Sequence, residues 1–267
     1  MKEFCSYKQG CEGRVRMKKS GVVLFVSVIL FLTSQLGIAE SAEEYAYDQT
    51  KDLVALVKDA ARLVADEGED AFKEFRISGS RWRHLDRYIF VVDADGNMLV
   101  HPNPDLEGTN QLKLEDVGGK VIVQGIIKVA TGYNHGDEGW YHYQWPGPDG
   151  IFAAWKSTFS KSVKAPSGKT YIVSAGLYDM KMERAFVVDM VKSAIEEIEK
   201  SGDKAFQLLR DPRSKFIYKD AYVFVVGEDG TDLVHPSFPN LEGRNIMDVK
   251  DSEGKYLIKE IPRPLIH

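Results

Sequence analysis

Apolar side chains recur along this chain with two periods. Leu53, Leu56, Val57, Ala60, Leu63 and Val64 stand three and four residues apart, which predicts an amphipathic helix. Phe186, Val187, Met190, Val191, Ala194, Ile195 and Ile198 repeat that spacing and predict a second. Each is followed by an aromatic and β-branched run, Tyr88–Val92 and Tyr222–Val226, of strand character. Asp95-Gly96 and Asp229-Gly230 then supply tight hairpin turns, because glycine accepts a positive φ there. The returning strand ends at His101-Pro102, where proline removes a ladder donor. The first half continues with a helix predicted from Lys120 to Ala130 and strands over Trp140–Trp145, Ile151–Ser160 and Thr170–Leu177. Pro146-Gly147-Pro148 and Pro166-Ser167-Gly168 punctuate them.

The two halves are one unit written nearly twice. Asp86–Pro102 recurs as Asp220–Pro236 at an offset of 134, which also pairs Gly68 with Gly202, Phe72 with Phe206 and Arg76 with Arg210. One inserted residue then pairs Leu106-Glu107-Gly108 with Leu241-Glu242-Gly243 and Asn110 with Asn245. A long helix followed by a mostly antiparallel five-stranded meander with a helical insert is an α+β unit. The second copy reaches Ile261-Pro262 before the last three strands could form, which leaves a raw sheet edge. A fragment, or a partner chain completing the sheet, would account for that.

Gly21 to Leu32 is the one strongly apolar run, preceded by Lys18 and Lys19 and followed by small residues at Gly37 and Ala39. This is the layout of a secretory signal cleaved after Ala39. An uncleaved anchor is the rival, although a run of 12 residues, with Ser27 inside it, falls short of the roughly 20 that span a bilayer. Met17 begins a more conventional signal, so either Met1 or Met17 is the true start. Cys5 and Cys11 both precede the run, so the body has no disulfide, thiolate nucleophile or cysteine metal site. Residues 40–267 carry 29 basic and 38 acidic side chains, and an acidic body argues against nucleic acid as a partner.

Several motifs in order then resemble one family. Tyr88-Ile-Phe-Val-Val-Asp-Ala-Asp-Gly, Leu99-Val-His-Pro-Asn-Pro, Leu106-Glu-Gly-Thr-Asn, Gly139-Trp-Tyr-His-Tyr-Gln-Trp-Pro and Ser174-Ala-Gly-Leu-Tyr are similar to the type-two Cache domain. The resemblance covers roughly residues 50–180, with a partial second match over 187–261. It implies a PAS-like antiparallel sheet with a long N-terminal helix, repeated, and with the second repeat incomplete. It implies an extracytoplasmic sensor, often the outer half of a chemoreceptor or histidine kinase, with a pocket over the sheet for small molecules such as carboxylates. The domain expectation is an N-terminal extension and signal over 1–39, a first Cache domain over 40–180 and a partial second over 181–267. Family members often carry tyrosine where this chain has Phe159, so a hydroxyl is missing there.

The candidate ligand-binding residues are Arg81, Arg83, Tyr88, His101, Tyr141, Tyr143, Trp145 and Lys156. A histidine at a strand end can donate to an anion, which would raise its pKa, or can hold the turn at Pro102. Tyr141, Tyr143 and Trp145 alternate onto one strand face, as an aromatic pocket wall or as plain core. Arg81 and Arg83 can clamp a carboxylate, although solvated surface arginines are commoner, and Lys156 is weighed the same way. Asp93, Asp95 and Asn97 start like a calcium loop, but Met98 replaces the needed glycine and Pro104 the closing glutamate, so a hairpin turn is expected. His84, His135 and His142 lack metal spacing, and no nucleophile elbow, P-loop or dinucleotide fingerprint occurs.

These features point to an exported, periplasmic or extracellular, non-catalytic sensory module that binds a small carboxylate without cofactor or metal, in signal transduction or chemotaxis. The alternatives are a truncated, outward-facing membrane-anchored chemoreceptor or histidine-kinase sensor fragment, and an exported hydrolase. Pairing of the long helices in a homodimer is a further expectation.

Overall fold

Helix α1 (Asp48–Glu67) forms where the 3.6-residue period begins, and it buries one stripe: Leu53, Val54, Leu56, Val57, Ala60, Ala61 and Val64. Gly68 stops it at φ 65°, a conformation that a side chain would strain. A computed structural model describes residues 45–132, 136–147 and 150–259. The expected signal over 1–39, His135, Pro148 and the Ile261–His267 tail lie outside the described residues. Among the described residues no helix is long and apolar enough to cross a membrane.

The described residues divide into two compact units, 45–189 with 212–221, and 190–211 with 222–259. In the first, α1 is followed by α2 (Phe72–Phe75), β1 (Arg83–His84), β2 (Arg87–Asp93) and β3 (Met98–Val100). Helix α3 (Ile122–Thr131), β4 (Glu138–Pro146), β5 (Ala153–Lys164) and β6 (Thr170–Tyr178) complete it, and α4 (Arg184–Ser201) leaves it.

The antiparallel sheet expected from the sequence is present, but it is not a simple meander. Its order is β3-β2-β6-β5-β4, with β1 on the same edge as β3. After β3 the chain crosses through α3 to the far edge and returns strand by strand, so that β6 seats beside β2 with Ile89 opposite Ala175 and Val91 opposite Val173. The reason is written in β2: Ile89, Phe90, Val91 and Val92 are buried without alternation, so both sheet faces are covered there and ladder partners stand on both sides. One face packs on α1 and the other on α3. Under α3 lie Phe90, Val92, Met98, Tyr141, Tyr143 and Ile172, together with Ile122, Val123, Ile126 and Val129 of the helix. Gly125 admits this packing, because a Cβ there would fall inside the Tyr141 ring.

The compact units do not divide at the repeat boundary. Residues 212–221 fold onto the first unit through β7 (Ile217–Tyr218). The Tyr218 ring stacks on His142 at 3.9 Å, its hydroxyl lies 2.8 Å from Ser157 Oγ, and Lys120 Nζ donates to the carbonyls of His142 and Ile217.

The second unit holds most of α4, α5 (Ala205–Arg210), β9 (Val225–Val226) and β10 (Asp232–Val234). The duplication is visible at the level of single hydrogen bonds. Arg76 pairs with Glu107 and donates to Leu99 O, while Glu107 accepts from His101 N. Arg210 likewise pairs with Glu242 and donates to Leu233 O, while Glu242 accepts from His235 N. Leu85 and Lys219, 134 residues apart, both take φ 55°. The strand expected over Tyr222–Val226 is broken, however, into β8 (Ala221–Tyr222) and β9. A two-residue ladder against β10 is all the pairing that β9 has among the described residues, where β2 is gripped along its length by β6.

Candidate functional site

Strand alternation sends Lys156 and Thr158 of β5 and Tyr143 of β4 to the α3 face of the sheet, and Ser157 and His142 to the other. Tyr143 stands opposite Lys156 in the β4–β5 ladder, and Tyr178 opposite Lys156 in the β5–β6 ladder. Lys156 then crosses β6 to reach β2. Gly176 allows the crossing: a Cβ there would lie 2.5 Å from Thr158 Oγ1 and 3.0 Å from Lys156 Cε. The ammonium ends 2.8 Å from Tyr88 Oη, 4.2 Å from the Tyr88 ring centroid and 4.9 Å from that of Tyr178.

Lys156 is 1% exposed, and tyrosine oxygens and rings are what surround its Nζ. Burial pushes its pKa down to about 7, with only the charge of Asp86 working the other way. The same burial holds Tyr88 and Tyr143 well above the usual phenol range and pushes Tyr178 up to about 12, so all three hydroxyls keep their protons. Tyr143 Oη lies 3.0 Å from Thr158 Oγ1. His101 closes the rim, its ring centroid 5.2 Å from that of Tyr88. Its Nδ1 accepts the Asn103 N–H at 3.0 Å, which leaves the proton of the neutral ring on Nε2. Burial, reinforced by the Lys156 charge, pushes its pKa down to about 4. The site is therefore a hydroxyl-rich cluster with one buried amine, a neutral histidine and, among the described residues, no carboxylate within hydrogen-bond range of the amine.

Of the residues singled out in the sequence, Tyr88, His101, Tyr143 and Lys156 come together here. Trp145 flanks them, edge-on to Tyr143 with centroids 6.2 Å apart. Tyr141 shares the face, but its hydroxyl donates to Val121 O and its ring lies in the core beneath α3. Arg83 donates to the Arg76 carbonyl and disfavours a charge on His101 from outside. Arg81 is not brought to the cluster; it pairs with Asp59 of α1 at 2.6 Å and lies over the Trp82 ring. Lys156 is buried, against the solvated reading weighed for it, because Gly176 opens a path across the sheet. Phe159 packs with Trp140 and Lys58 on the opposite face, so the hydroxyl missing there does not touch this cluster. Gly176 and Tyr178 lie in the Ser174–Tyr178 motif but, like Thr158, are not among the candidate ligand-binding residues; a glycine inside a strand run was a further signal for the first.

The Asp93 loop is a hairpin turn: Asp93 Oδ1 accepts the N–H groups of Asp95 and Asn97, and Gly96 sits at φ 82°. Among the described residues no three His, Cys, Asp or Glu side chains are grouped to hold a metal.

With this geometry in view, the family comparison is decisive. The family model for the single Cache domain 2 matches residues 48–179 and again 173–263. The chain belongs to the single Cache domain 2 family. Its long N-terminal helix followed by an antiparallel sheet matches Cache sensor domains. Among solved structures it is similar to a methyl-accepting chemotaxis protein from Vibrio parahaemolyticus RIMD 2210633, with 22% identity over 49% of this chain and 88% of that one, at a TM-score of 0.40. A structure titled for carboxylic acid recognition by a Cache chemosensory domain matches at 22% identity over 49% and 94%, also at 0.40. A periplasmic sensor domain of a chemotaxis protein matches at 24% identity over 49% and 91%, at 0.37. No curated protein matches the chain.

Proposed function

We propose that the chain is an extracytoplasmic sensory module whose first Cache unit binds a small carboxylate and does no chemistry on it. The observation that carries this reading is Lys156: an amine 1% exposed, held by a tyrosine oxygen and two rings, with no carboxylate in hydrogen-bond range among the described residues and only the charge of Asp86 reaching it. An incoming carboxylate supplies the missing counter-charge. Charge-assisted hydrogen bonds are about twice as strong as neutral ones. The Tyr88 hydroxyl and the His101 Nε2–H are the remaining donors beside the amine, the Tyr178 hydroxyl being taken by Pro146 O at 2.8 Å, and Trp145 offers apolar surface nearby. Arg81, committed to Asp59, is left out of this site, and Tyr141 serves as its packed floor.

Family membership supports the sensory role and the location outside the cytoplasm. Cleavage after Ala39, attachment through residues 21–39, pairing of the long helices and a role in chemotaxis extend the same reading. At ~−1.5 kcal/mol per heavy atom, an acetate-sized ligand has a ceiling of about −6 kcal/mol, a Kd of tens of micromolar. Calorimetry of the chain from Glu40 onward against short organic acids, amino acids and amines tests the proposal. Saturable heat with an acid, lost in Lys156→Met, is expected; heat with amines alone, or with nothing, would refute it.

A further inference from the structure

We infer that ligand capture at Lys156 is coupled to proton uptake, so that the first unit reports acid and acidity together. The inference rests on the carboxylate reading above and concerns how that site is regulated.

The geometry sets up the coupling. Among the described residues the direct contacts of Lys156 Nζ are neutral, the Tyr88 hydroxyl and ring from β2 and the Tyr178 ring from β6, with Tyr143 of β4 opposite in the ladder and the His101 imidazole packed on the Tyr88 ring. Asp86, just before β2, is the acid whose charge reaches it, and Arg83 of β1 adds its charge at His101. A buried ammonium in such surroundings has lost its hydration without gaining a counter-ion, and that lowers its proton affinity. With Lys156 titrating at about 7, half the unliganded molecules carry a neutral amine at that pH. In those molecules the Tyr88 hydroxyl is the donor and the Nζ lone pair the acceptor, so the 2.8 Å contact survives deprotonation with its direction reversed.

A bound carboxylate reverses the balance. Its negative charge beside Nζ favours the ammonium, and the amine takes one proton from solvent as the anion enters. The products are one ammonium and one carboxylate, with nothing oxidised and no bond other than N–H formed. His101 does not compete for this proton, because its Nδ1 is committed to the Asn103 N–H. Linkage then fixes the pH profile. Affinity is nearly flat around pH 6, drops at more acid pH where the carboxylate itself is protonated, and falls towards tenfold per unit above pH 7, about fifty-fold between pH 7 and pH 9.

The test uses the full chain, with acetate as the probe anion. Titration calorimetry at pH 6, 7 and 8.5, each in two buffers that hold that pH but differ in ionisation enthalpy, gives the protons taken up per acetate from the difference between the buffers. Near zero at pH 6, about one half at pH 7 and close to one at pH 8.5 is expected. Acetate binding with no proton uptake at any of these values would overturn the inference and leave the carboxylate reading intact. In parallel, the lysine ¹³Cε resonance lost in Lys156→Met is titrated in the ligand-free chain. A midpoint near 7 supports the coupling. A midpoint above 9.5 would overturn it whether or not acetate binds, and absence of acetate heat with a midpoint near 7 counts against the ligand class alone.

Discussion

Asp232 is the residue in the second unit whose replacement most sharply tests the structural reasoning. It stands at offset 134 from Met98, a core residue under α3, and the second copy buries a carboxylate where the first buries a thioether. Asp232 is 0% exposed, and neither of its oxygens has a hydrogen-bond partner; the Val234 N–H is close enough to favour the charged form without completing a bond. Burial, helped by the charge of Glu242, pushes its pKa from 3.8 up to about 6. A buried polar group left unsatisfied costs about 1–3 kcal/mol. The sign follows from linkage: the folded state holds this proton more tightly than the unfolded chain, so stability falls as pH rises from about 4 to about 6 and stays low above. At ~1.36 kcal/mol per pH unit that window is worth at most ~3 kcal/mol, the same range as the first figure. Asp232→Met is therefore expected to stabilise the second unit by ~1–3 kcal/mol at pH 7, with the gain shrinking towards pH 4. Urea unfolding of the full chain at both pH values reads the difference. A variant no more stable at pH 7, or a gain that is equal at pH 4, would refute the assignment of an uncompensated carboxylate.

Other consequences follow from single contacts. Gly125→Ala, which usually helps a helix by up to ~1 kcal/mol, is expected to destabilise the first unit by ~1–3 kcal/mol in thermal unfolding, because its methyl meets the Tyr141 ring. Glu183, 1% exposed, accepts the N–H groups of Ala46 and Tyr47 at 2.8 and 3.1 Å and so anchors the start of α1 to the segment after β6. Glu183→Gln should cost ~1–2 kcal/mol and speed amide exchange at Ala46 and Tyr47; unchanged exchange would show that the anchor is idle. Lys156→Met is expected to raise ligand-free stability by ~1–3 kcal/mol, since it removes an amine without a counter-ion. That gain should be greatest below pH 7 and fade towards pH 10.5, because a base with a depressed pKa loses stability as pH falls through it; equal gains at pH 6 and pH 10 would contradict the burial.

The elements of the first unit were legible because their apolar periods are strong. The sheet order was less so, since nothing in the spacing of β2 and β3 says that β6 returns between them and β5. The unbroken Ile89–Val92 run does hint at a strand with partners on both sides. The second copy repeats that run as Val223–Val226, yet the strand breaks, because sheet formation is decided by pairing and not by propensity alone. At the site, the alternation of β4 placed Tyr141, Tyr143 and Trp145 on one face, while the reach of Lys156 depended on Gly176 of the neighbouring strand, two register positions along. Arg81 illustrates the opposite error: its charge suggested a ligand clamp, but Asp59, one helix away in the fold and 22 residues back in sequence, takes it up.

The central claim is that a carboxylate occupies the space among Lys156, Tyr88, Tyr178 and His101. A crystal structure of the chain grown with acetate and refined beside an acetate-free one tests it most directly. Density for a planar anion in hydrogen-bond range of Lys156 Nζ, absent from the acetate-free crystal, is the expected result. Side chains packed against Nζ in both crystals, with no room for a guest, would contradict it.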